Sequence, residues 1–237
     1  MIPKEFLSEQ LEVFGIPQPS EVVEKLDLFS DLLVEKNKVL NLTAITEPKE
    51  IAVKHFLDSL SVLKFVSFGQ GESIIDVGTG AGFPSIPLMI ARPDLKITML
   101  DSTKKRLDFI EEVMDKLGLS GKTLHMRAEQ AGKEKEYRET FDKAVSRAVA
   151  GMNRLSEYCL PFVKPGGEFI AMKGRGGSEE LKEAAGAIKL LSAQEETQNR
   201  FNLPGSEERN IIVIKKISHI SPKYPRASSK ISKAPLK

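Results

Sequence analysis

The spacing of apolar and polar residues changes along the chain close to Glu72. Beyond that residue, short apolar runs alternate with stretches in which apolar residues recur every three or four positions, which is typical of strands alternating with helices in a parallel sheet. The pattern predicts strands over residues 73–77, 96–100, 123–126, 143–146 and 168–172, and helices over residues 84–91, 104–117, 151–162 and 178–188. The predicted fold class is therefore α/β.

The two ends of the chain follow other patterns. Residues 3–68 are predicted to be helical, because apolar residues such as Val22, Leu26 and Phe29 recur at helical spacing. A last apolar run, residues 210–217, follows a Pro-Gly turn and can pair with residues 194–201 as an antiparallel edge of the sheet. The predicted organisation is a helical cap at residues 1–69, an α/β core at residues 70–217 and a flexible basic tail at residues 218–237.

Composition narrows the class of protein. A chain of 237 residues, with 41% apolar and 29% charged residues, can bury one sizeable core. The N-terminus lacks the pattern of a secretory signal, no apolar run approaches the roughly 20 residues of a membrane span, and Cys159 is the single cysteine, which excludes disulfides within the chain and cysteine-rich metal sites. We expect a cytoplasmic protein without metal or membrane partner, and nothing in the sequence demands more than a monomer.

Charge is distributed unevenly although the net charge is only +2. Residues 218–237 contain five basic residues, among them Arg226, and no acidic ones, with proline and serine between them. Such a segment suits a solvated arm that lies along phosphates. A disordered basic end without a partner would have the same composition.

The strongest local motif is a glycine-rich turn between a predicted strand and a predicted helix, Asp76-Val77-Gly78-Thr79-Gly80-Ala81-Gly82-Phe83. Such turns bind nucleotides at the mouth of a doubly wound sheet. Phe83 stands where a dinucleotide-binding motif needs its third glycine, so the spacing favours S-adenosylmethionine over a nicotinamide cofactor. At the end of the next predicted strand, Asp101 can accept hydrogen bonds from both hydroxyls of a ribose.

Residues after the third and fourth predicted strands suggest how the rest of the site is built. Glu129 can accept a hydrogen bond from an adenine amino group, or it is a solvated surface glutamate. No Pro-Pro-aromatic motif follows the fourth strand, and this absence disfavours methylation of exocyclic amines. Methylation of carbon 5 of a pyrimidine needs a cysteine nucleophile, but Cys159 lies in a predicted helix and is interpreted as a core residue. Guanine N7 is an attractive acceptor because it has no proton to lose, and Arg147 can fix a phosphate or guanine O6, or be a surface arginine.

Five motifs occur together in one order, and their combination resembles one family. They are Asn41-Leu42-Thr43-Ala44-Ile45, His55-Phe56-Leu57-Asp58-Ser59-Leu60, the glycine-rich turn with Pro84, Asp101-Ser102, and Val145-Ser146-Arg147-Ala148. Over residues 34–217 the chain resembles the RsmG family, formerly called glucose-inhibited division protein B. The resemblance implies a Rossmann-like class I methyltransferase core, with a mostly parallel seven-stranded sheet and an antiparallel edge, that methylates N7 of guanine 527 in the 530 loop of 16S ribosomal RNA in the 30S subunit.

The resemblance and the residue patterns together give a set of predicted site residues. Predicted cofactor contacts are Gly78, Gly80, Phe83, Asp101, Ala128, Glu129 and Arg147; predicted catalytic residues are Arg147, His55 and Asp58; predicted substrate contacts are Asn41, Thr43, Ser59, Lys173 and Arg226. His55, Asp58 and Ser59 fall on one helix face at spacings of three and four. A histidine–carboxylate pair that links cap to core explains His55 and Asp58 equally well, and helix caps and turns explain Asn41 and Thr43.

Other functions remain open at this level. The tail departs from the family pattern, because Ala227-Ser228-Ser229-Lys230 follows Tyr224-Pro225-Arg226. A methyltransferase acting on another RNA or on a small acceptor would share the cofactor motifs but would not need basic residues near Arg147. An RNA-binding assembly factor that uses the cofactor as a structural ligand would bind it without turnover.

Overall fold

The structure is a computed structural model and describes residues 1–205 and 207–237. Within these residues the strands are β1 Ser73–Val77, β2 Lys96–Asp101, β3 Lys122–His125, β4 Phe141–Arg147, β5 Val163–Gly174, β6 Ala193–Asn202 and β7 Glu208–Lys216. They form one sheet in the order β3-β2-β1-β4-β5-β7-β6, in which β7 runs antiparallel to the other six strands. The predicted α/β fold with a parallel sheet and an antiparallel edge is confirmed.

Helices cover both faces of this sheet. They are α1 Lys4–Val13, α2 Pro19–Leu40, α3 Pro48–Glu50, α4 Asp58–Leu60, α5 Val62–Phe65, α6 Ser85–Ala91, α7 Lys104–Leu117, α8 Ala128–Ala131, α9 Met152–Cys159, α10 Gly177–Glu183, α11 Ala185–Leu190 and α12 Ser228–Lys233. A π-helical segment, Ile51–Leu57, joins α3 to α4 and carries His55. Such wide turns often occur at functional sites.

Several predicted elements differ from the observed ones; the helix predicted over residues 178–188, for example, is divided at Ala184 into α10 and α11. Two other differences have local reasons. β5 begins at Val163 rather than at residue 168, and its pairing with β4 jumps from Phe141–Val163 to Lys143–Glu168. Residues 164–167 therefore bulge out of the ladder, and their Pro-Gly-Gly sequence reads as a loop although the strand resumes beyond it. The predicted helix 151–162 ends at Cys159 and continues as a 3₁₀ turn, Leu160–Phe162, at Pro161.

The N-terminal helices share a hydrophobic core with one face of the sheet and with α6 and α7. Phe29 of α2 packs against Phe83 and Phe109, with ring centroids 5.3 Å and 6.4 Å away. Because Phe83 belongs to the glycine-rich turn, the N-terminal helices support that turn directly. The predicted division into cap, core and tail stays a prediction.

The C-terminal segment differs from the predicted solvated arm. Ile220, Tyr224 and Ile231 are buried, and α12 packs against α9. The prediction of an arm rested on the basic residues of this segment. The apolar side chains between them are removed from water, and this burial holds the segment on the core. No helix in residues 1–205 or 207–237 combines the length and the apolarity needed to cross a membrane.

Candidate active site

A cavity of about 620 Å³ opens at the carboxyl ends of β1, β2 and β4. Its size suits a small-molecule ligand. Nine of the predicted site residues line it: Thr43, His55, Gly78, Gly80, Phe83, Asp101, Ala128, Glu129 and Arg147. Asn41, Asp58, Ser59, Lys173 and Arg226 do not line it, although they were predicted to belong to the site.

The glycine-rich turn forms the floor of this cavity. Gly78 has a φ of +78°, and a Cβ atom there would lie 2.6 Å from Cγ2 of Val149, so only glycine fits. Gly80 has a φ of +60°, and a Cβ atom there would meet no other atom within 4 Å. The turn thus presents bare backbone to an open space, as close approach of a ligand requires.

Asp101 lies beside this turn at the end of β2, with 5% of its surface exposed. Its Oδ2 accepts a hydrogen bond from the Gly80 amide at 3.1 Å, and its Oδ1 accepts one from the Thr103 amide at 2.8 Å. An ionised carboxylate has about four acceptor sites, so acceptor capacity remains for ligand hydroxyls. Asp76, at the end of β1, is fully buried behind the turn and accepts from the Ser85 hydroxyl at 2.7 Å; burial raises the pKa of its carboxyl to about 7.

Arg147 organises the other side of the cavity. One guanidinium nitrogen, Nη1, donates to the Lys54 carbonyl at 3.1 Å and to Asp58 Oδ2 at 3.0 Å. The guanidinium carbon lies 4.8 Å from the centroid of the Phe83 ring, in cation–π geometry. We call Thr43, His55, Asp58, Phe83 and Arg147 the Arg147 cluster.

His55 is held on both sides of its ring. Its Nδ1 lies 3.3 Å from Arg147 Nη2, and its Nε2 lies 2.8 Å from the Thr43 hydroxyl. Since the guanidinium can only donate, Nδ1 accepts, and Nε2 carries the proton and donates to Thr43. Burial, together with the charge of Arg147, lowers the pKa of His55 to about 3. The ring therefore stays neutral at physiological pH, stacked 4.4 Å from the Phe83 ring.

The alternative in which His55 pairs directly with Asp58 does not hold, because Arg147 lies between them. The Asp58 carboxylate binds two arginines, Arg147 through Oδ2 and Arg209 through Oδ1, the latter at 3.1 Å from Nε. Arg209 is a site residue that the sequence analysis missed. It lies 151 positions from Asp58 on the antiparallel strand β7, and an isolated arginine there has no local signal.

Two predicted substrate contacts near the N-terminal helices lie outside the cavity lining. Ser59 is fully buried, and its hydroxyl donates to the His55 carbonyl at 2.6 Å. Asn41 ends α2 in a left-handed conformation, with a φ of +49°. Asn37 instead holds the loop: its side-chain amide donates to the Thr43 carbonyl and accepts from the Thr43 amide, both at 2.9 Å.

Two predicted phosphate contacts already have protein partners. Lys173 donates to the Ala150 carbonyl at 2.8 Å and pairs with Glu180 at 2.7 Å, so it fixes the loop after β4. Arg226 forms a bidentate pair with the buried carboxylate of Glu157. Both cations thus have protein partners, and their role as phosphate contacts stays a prediction. Three arginines that were not predicted line the cavity beside Arg147: Arg106, Arg127 and Arg154.

Comparison with known proteins identifies the family. The model of the GidB family, described as rRNA small subunit methyltransferase G, matches residues 22–212. The chain belongs to this family. The rRNA small subunit methyltransferase G of Thermoanaerobacter sp. strain X514 is 49% identical over 234 residues, which cover 98% of each chain. The protein of the same name from Clostridium perfringens is 42% identical, again with 98% of each chain covered. The predicted membership is confirmed.

Solved structures share the fold of this methyltransferase G family member. A SAM-dependent O-methyltransferase from Thermotoga maritima superposes with a TM-score of 0.53 and 16% identity over 80% of this chain and 73% of that one. A 16S rRNA (adenine(1408)-N(1))-methyltransferase from Catenulisporales acidiphilia gives a TM-score of 0.52 and 14% identity over 67% of this chain and 88% of that one. At such identities the likeness concerns the fold alone, which is the class I methyltransferase fold.

Family and fold together establish this methyltransferase G family member as an S-adenosylmethionine-dependent enzyme of ribosomal RNA. The cavity fits that cofactor on two observations. Gly80 faces open space, and Asp101 retains acceptor sites at the end of β2. Within the described ranges, 1–205 and 207–237, no group of three or more histidine, cysteine or acidic side chains is arranged to hold a metal ion.

Proposed function

We propose that this protein methylates N7 of guanine 527 in the 530 loop of 16S ribosomal RNA. The choice of N7 rests on one observation: the residues of the Arg147 cluster, all of which the structure describes, offer no free proton acceptor. His55 has a pKa of about 3 and its Nδ1 faces Arg147, while both carboxylate oxygens of Asp58 bind arginines. An exocyclic amine or a hydroxyl would need help in losing a proton.

Six residues are proposed to hold the cofactor. Gly78 and Gly80 offer backbone, Asp101 accepts from the ribose hydroxyls, Ala128 and Glu129 face the adenine, and Phe83 packs beside the methionine portion. When bound, S-adenosylmethionine would supply an electrophilic methyl group, which N7 can attack without first losing a proton while the methyl–sulfur bond breaks and the sulfur leaves as a neutral thioether. Accurate positioning of the acceptor can then supply on the order of 7–11 kcal/mol of the barrier.

Arg147 is the proposed acceptor-side positioning group. Lys54, Asp58 and His55 fix its guanidinium, and burial lowers its pKa, an effect that Asp58 opposes. A guanidinium held in this way can bind guanine O6 or a flanking phosphate. Arg127 and Arg154 along the cavity are proposed to contact phosphates of the RNA, whereas Arg106 Nη1 lies 3.5 Å from Asp101 Oδ2 and is paired with that carboxylate.

The test is transfer of labelled methyl to RNA that lacks the modification. Unmodified 30S subunits and free unmodified 16S RNA are compared as substrates, and the product is identified after nuclease digestion. The proposal expects 7-methylguanosine at position 527. A different methylated nucleoside would show that the acceptor is another one, and cofactor binding without transfer would favour the non-catalytic assembly factor. Comparing 30S subunits with free 16S RNA also tests the proposal that the protein acts on the 30S subunit, in the cytoplasm.

Replacing Asp101 by alanine is expected to weaken cofactor binding by about 1.5–3 kcal/mol, the usual size for hydrogen bonds to a charged group. Titration calorimetry with S-adenosylmethionine measures the effect. The control is Asp108→Ala, which removes a carboxylate that is exposed on α7. Equal affinities in wild type and Asp101→Ala would remove Asp101 from the cofactor site.

His55 is expected to contribute no ionisation to the rate of methyl transfer between about pH 6 and pH 8. His55 has its pKa lowered from 6.5 to about 3, so it is neutral throughout this range and gains no proton. Single-turnover rates at saturating RNA measure the profile. A rise with a midpoint near the ordinary histidine pKa, lost in His55→Gln, would show that the ring acts as a base and would contradict the assignment.

A further inference from the structure

The C-terminal segment is anchored to the core by a buried ion pair. Arg226 donates to Glu157 through Nε at 2.8 Å and through Nη2 at 2.6 Å, and its backbone amide donates to the same carboxylate at 2.8 Å. Glu157 lies on α9 and is fully buried. The geometry is bidentate, so it fixes the orientation of the guanidinium as well as its position.

A second anchor joins this segment to the turn that follows α8. The guanidinium of Arg138 donates to the Tyr224 carbonyl at 2.7 Å and to the Ile220 carbonyl at 3.1 Å. The same guanidinium donates to the Gly132 carbonyl at 3.0 Å. Gly132 directly follows α8, which carries Ala128 and Glu129 on the wall of the cavity. Arg138 therefore ties the C-terminal segment to the wall that is assigned to the adenine.

Packing reinforces both anchors. Tyr224 is 5% exposed and Ile231 is fully buried. A Cβ atom built on Gly132 would lie 3.2 Å from Cγ of Pro225, which shows how closely the segment approaches α8. A mobile arm held along RNA phosphates would leave these side chains in water.

The anchors place Ser228, the first residue of α12, on the cavity wall that Ala128, Glu129 and Tyr158 also line. We propose that the C-terminal segment is part of the cofactor site and that Ser228 contacts the nucleoside end of S-adenosylmethionine. The proposal rests on the proposed placement of the cofactor, with its adenine at Ala128 and Glu129. A serine hydroxyl both donates and accepts, so it can pair with a ring nitrogen or with an amino group at the edge of the base.

The test compares two neighbouring serines in the full-length protein. Ser228→Gln puts a longer side chain into the cavity, whereas Ser229→Gln changes an exposed residue of the same helix that does not line the cavity. In titration calorimetry we expect Ser228→Gln to weaken S-adenosylmethionine binding about tenfold, a difference of about 1.4 kcal/mol, while Ser229→Gln stays within about twofold of wild type. Filter binding of 16S RNA without cofactor should be equal in all three proteins.

Three outcomes separate the ideas. Equal cofactor affinity in Ser228→Gln and Ser229→Gln would overturn the proposal, as would a loss of RNA affinity without a change in cofactor affinity. A wild-type protein that binds no S-adenosylmethionine would instead overturn the placement of the cofactor. Ser228→Ala, which adds no bulk, provides an independent measurement should the glutamine variant unfold: we expect its cofactor affinity to fall about threefold, and an unchanged affinity would count against the contact.

Discussion

Replacing Arg147 by alanine is expected to lower the single-turnover rate of methyl transfer by about 100-fold or more, the cost of a small misplacement of reacting groups. The substitution removes the guanidinium over Phe83 and the donor to His55 Nδ1. It also leaves Asp58 with Arg209 as its remaining arginine partner. Rapid-quench assays with labelled cofactor at saturating RNA separate this loss from a change in binding.

Two further variants sharpen that measurement. Arg147→Lys keeps the charge but loses the planar fork that binds several acceptors at once, so most of the rate loss should persist. Arg175→Ala removes an arginine that is exposed and lies outside the cavity lining, and its rate should match wild type. A full rate in Arg147→Lys would show that charge alone suffices and that the hydrogen-bond geometry is incidental.

Replacing Arg226 by alanine is expected to lower the free energy of unfolding by about 3–5 kcal/mol, because removing one partner of a buried ion pair leaves an unpaired charge. Here that charge is the Glu157 carboxylate, which is fully buried on α9. Urea unfolding followed by circular dichroism measures the change. Lys230→Ala is the matched control, since it removes an exposed cation from α12 of the same segment.

A second substitution tests whether the loss of stability in Arg226→Ala comes from the unpaired Glu157 carboxylate. Glu157→Gln in the Arg226→Ala background neutralises the stranded carboxylate, so the double variant should recover part of the lost stability. If Arg226→Ala were as stable as Lys230→Ala, Arg226 would be unpaired in solution, and the tail would be the solvated arm that its composition suggests.

Local sequence patterns determine the framework of the protein. The helix predicted over residues 104–117 coincides with α7, because its periodic apolar face needs no information from distant residues. The glycine-rich turn and Asp101 meet as predicted, since the carboxyl ends of neighbouring parallel strands converge at one edge of the sheet. Fold class and cofactor class follow from such short-range rules.

Partner choices between distant charged residues depend on the tertiary structure. Asp58 meets Arg147 across 89 positions and Arg209 across 151, and Arg226 meets Glu157 across 69. The neighbouring sequence does not determine which acidic residue an arginine pairs with. For this reason Arg226 was predicted to contact RNA, and Arg209 was not predicted as a site residue. The periodicity of apolar residues indicates which face of a segment is buried. Ion pairing between distant residues depends instead on how the helices and strands pack together, and this packing exists only when the whole chain has folded.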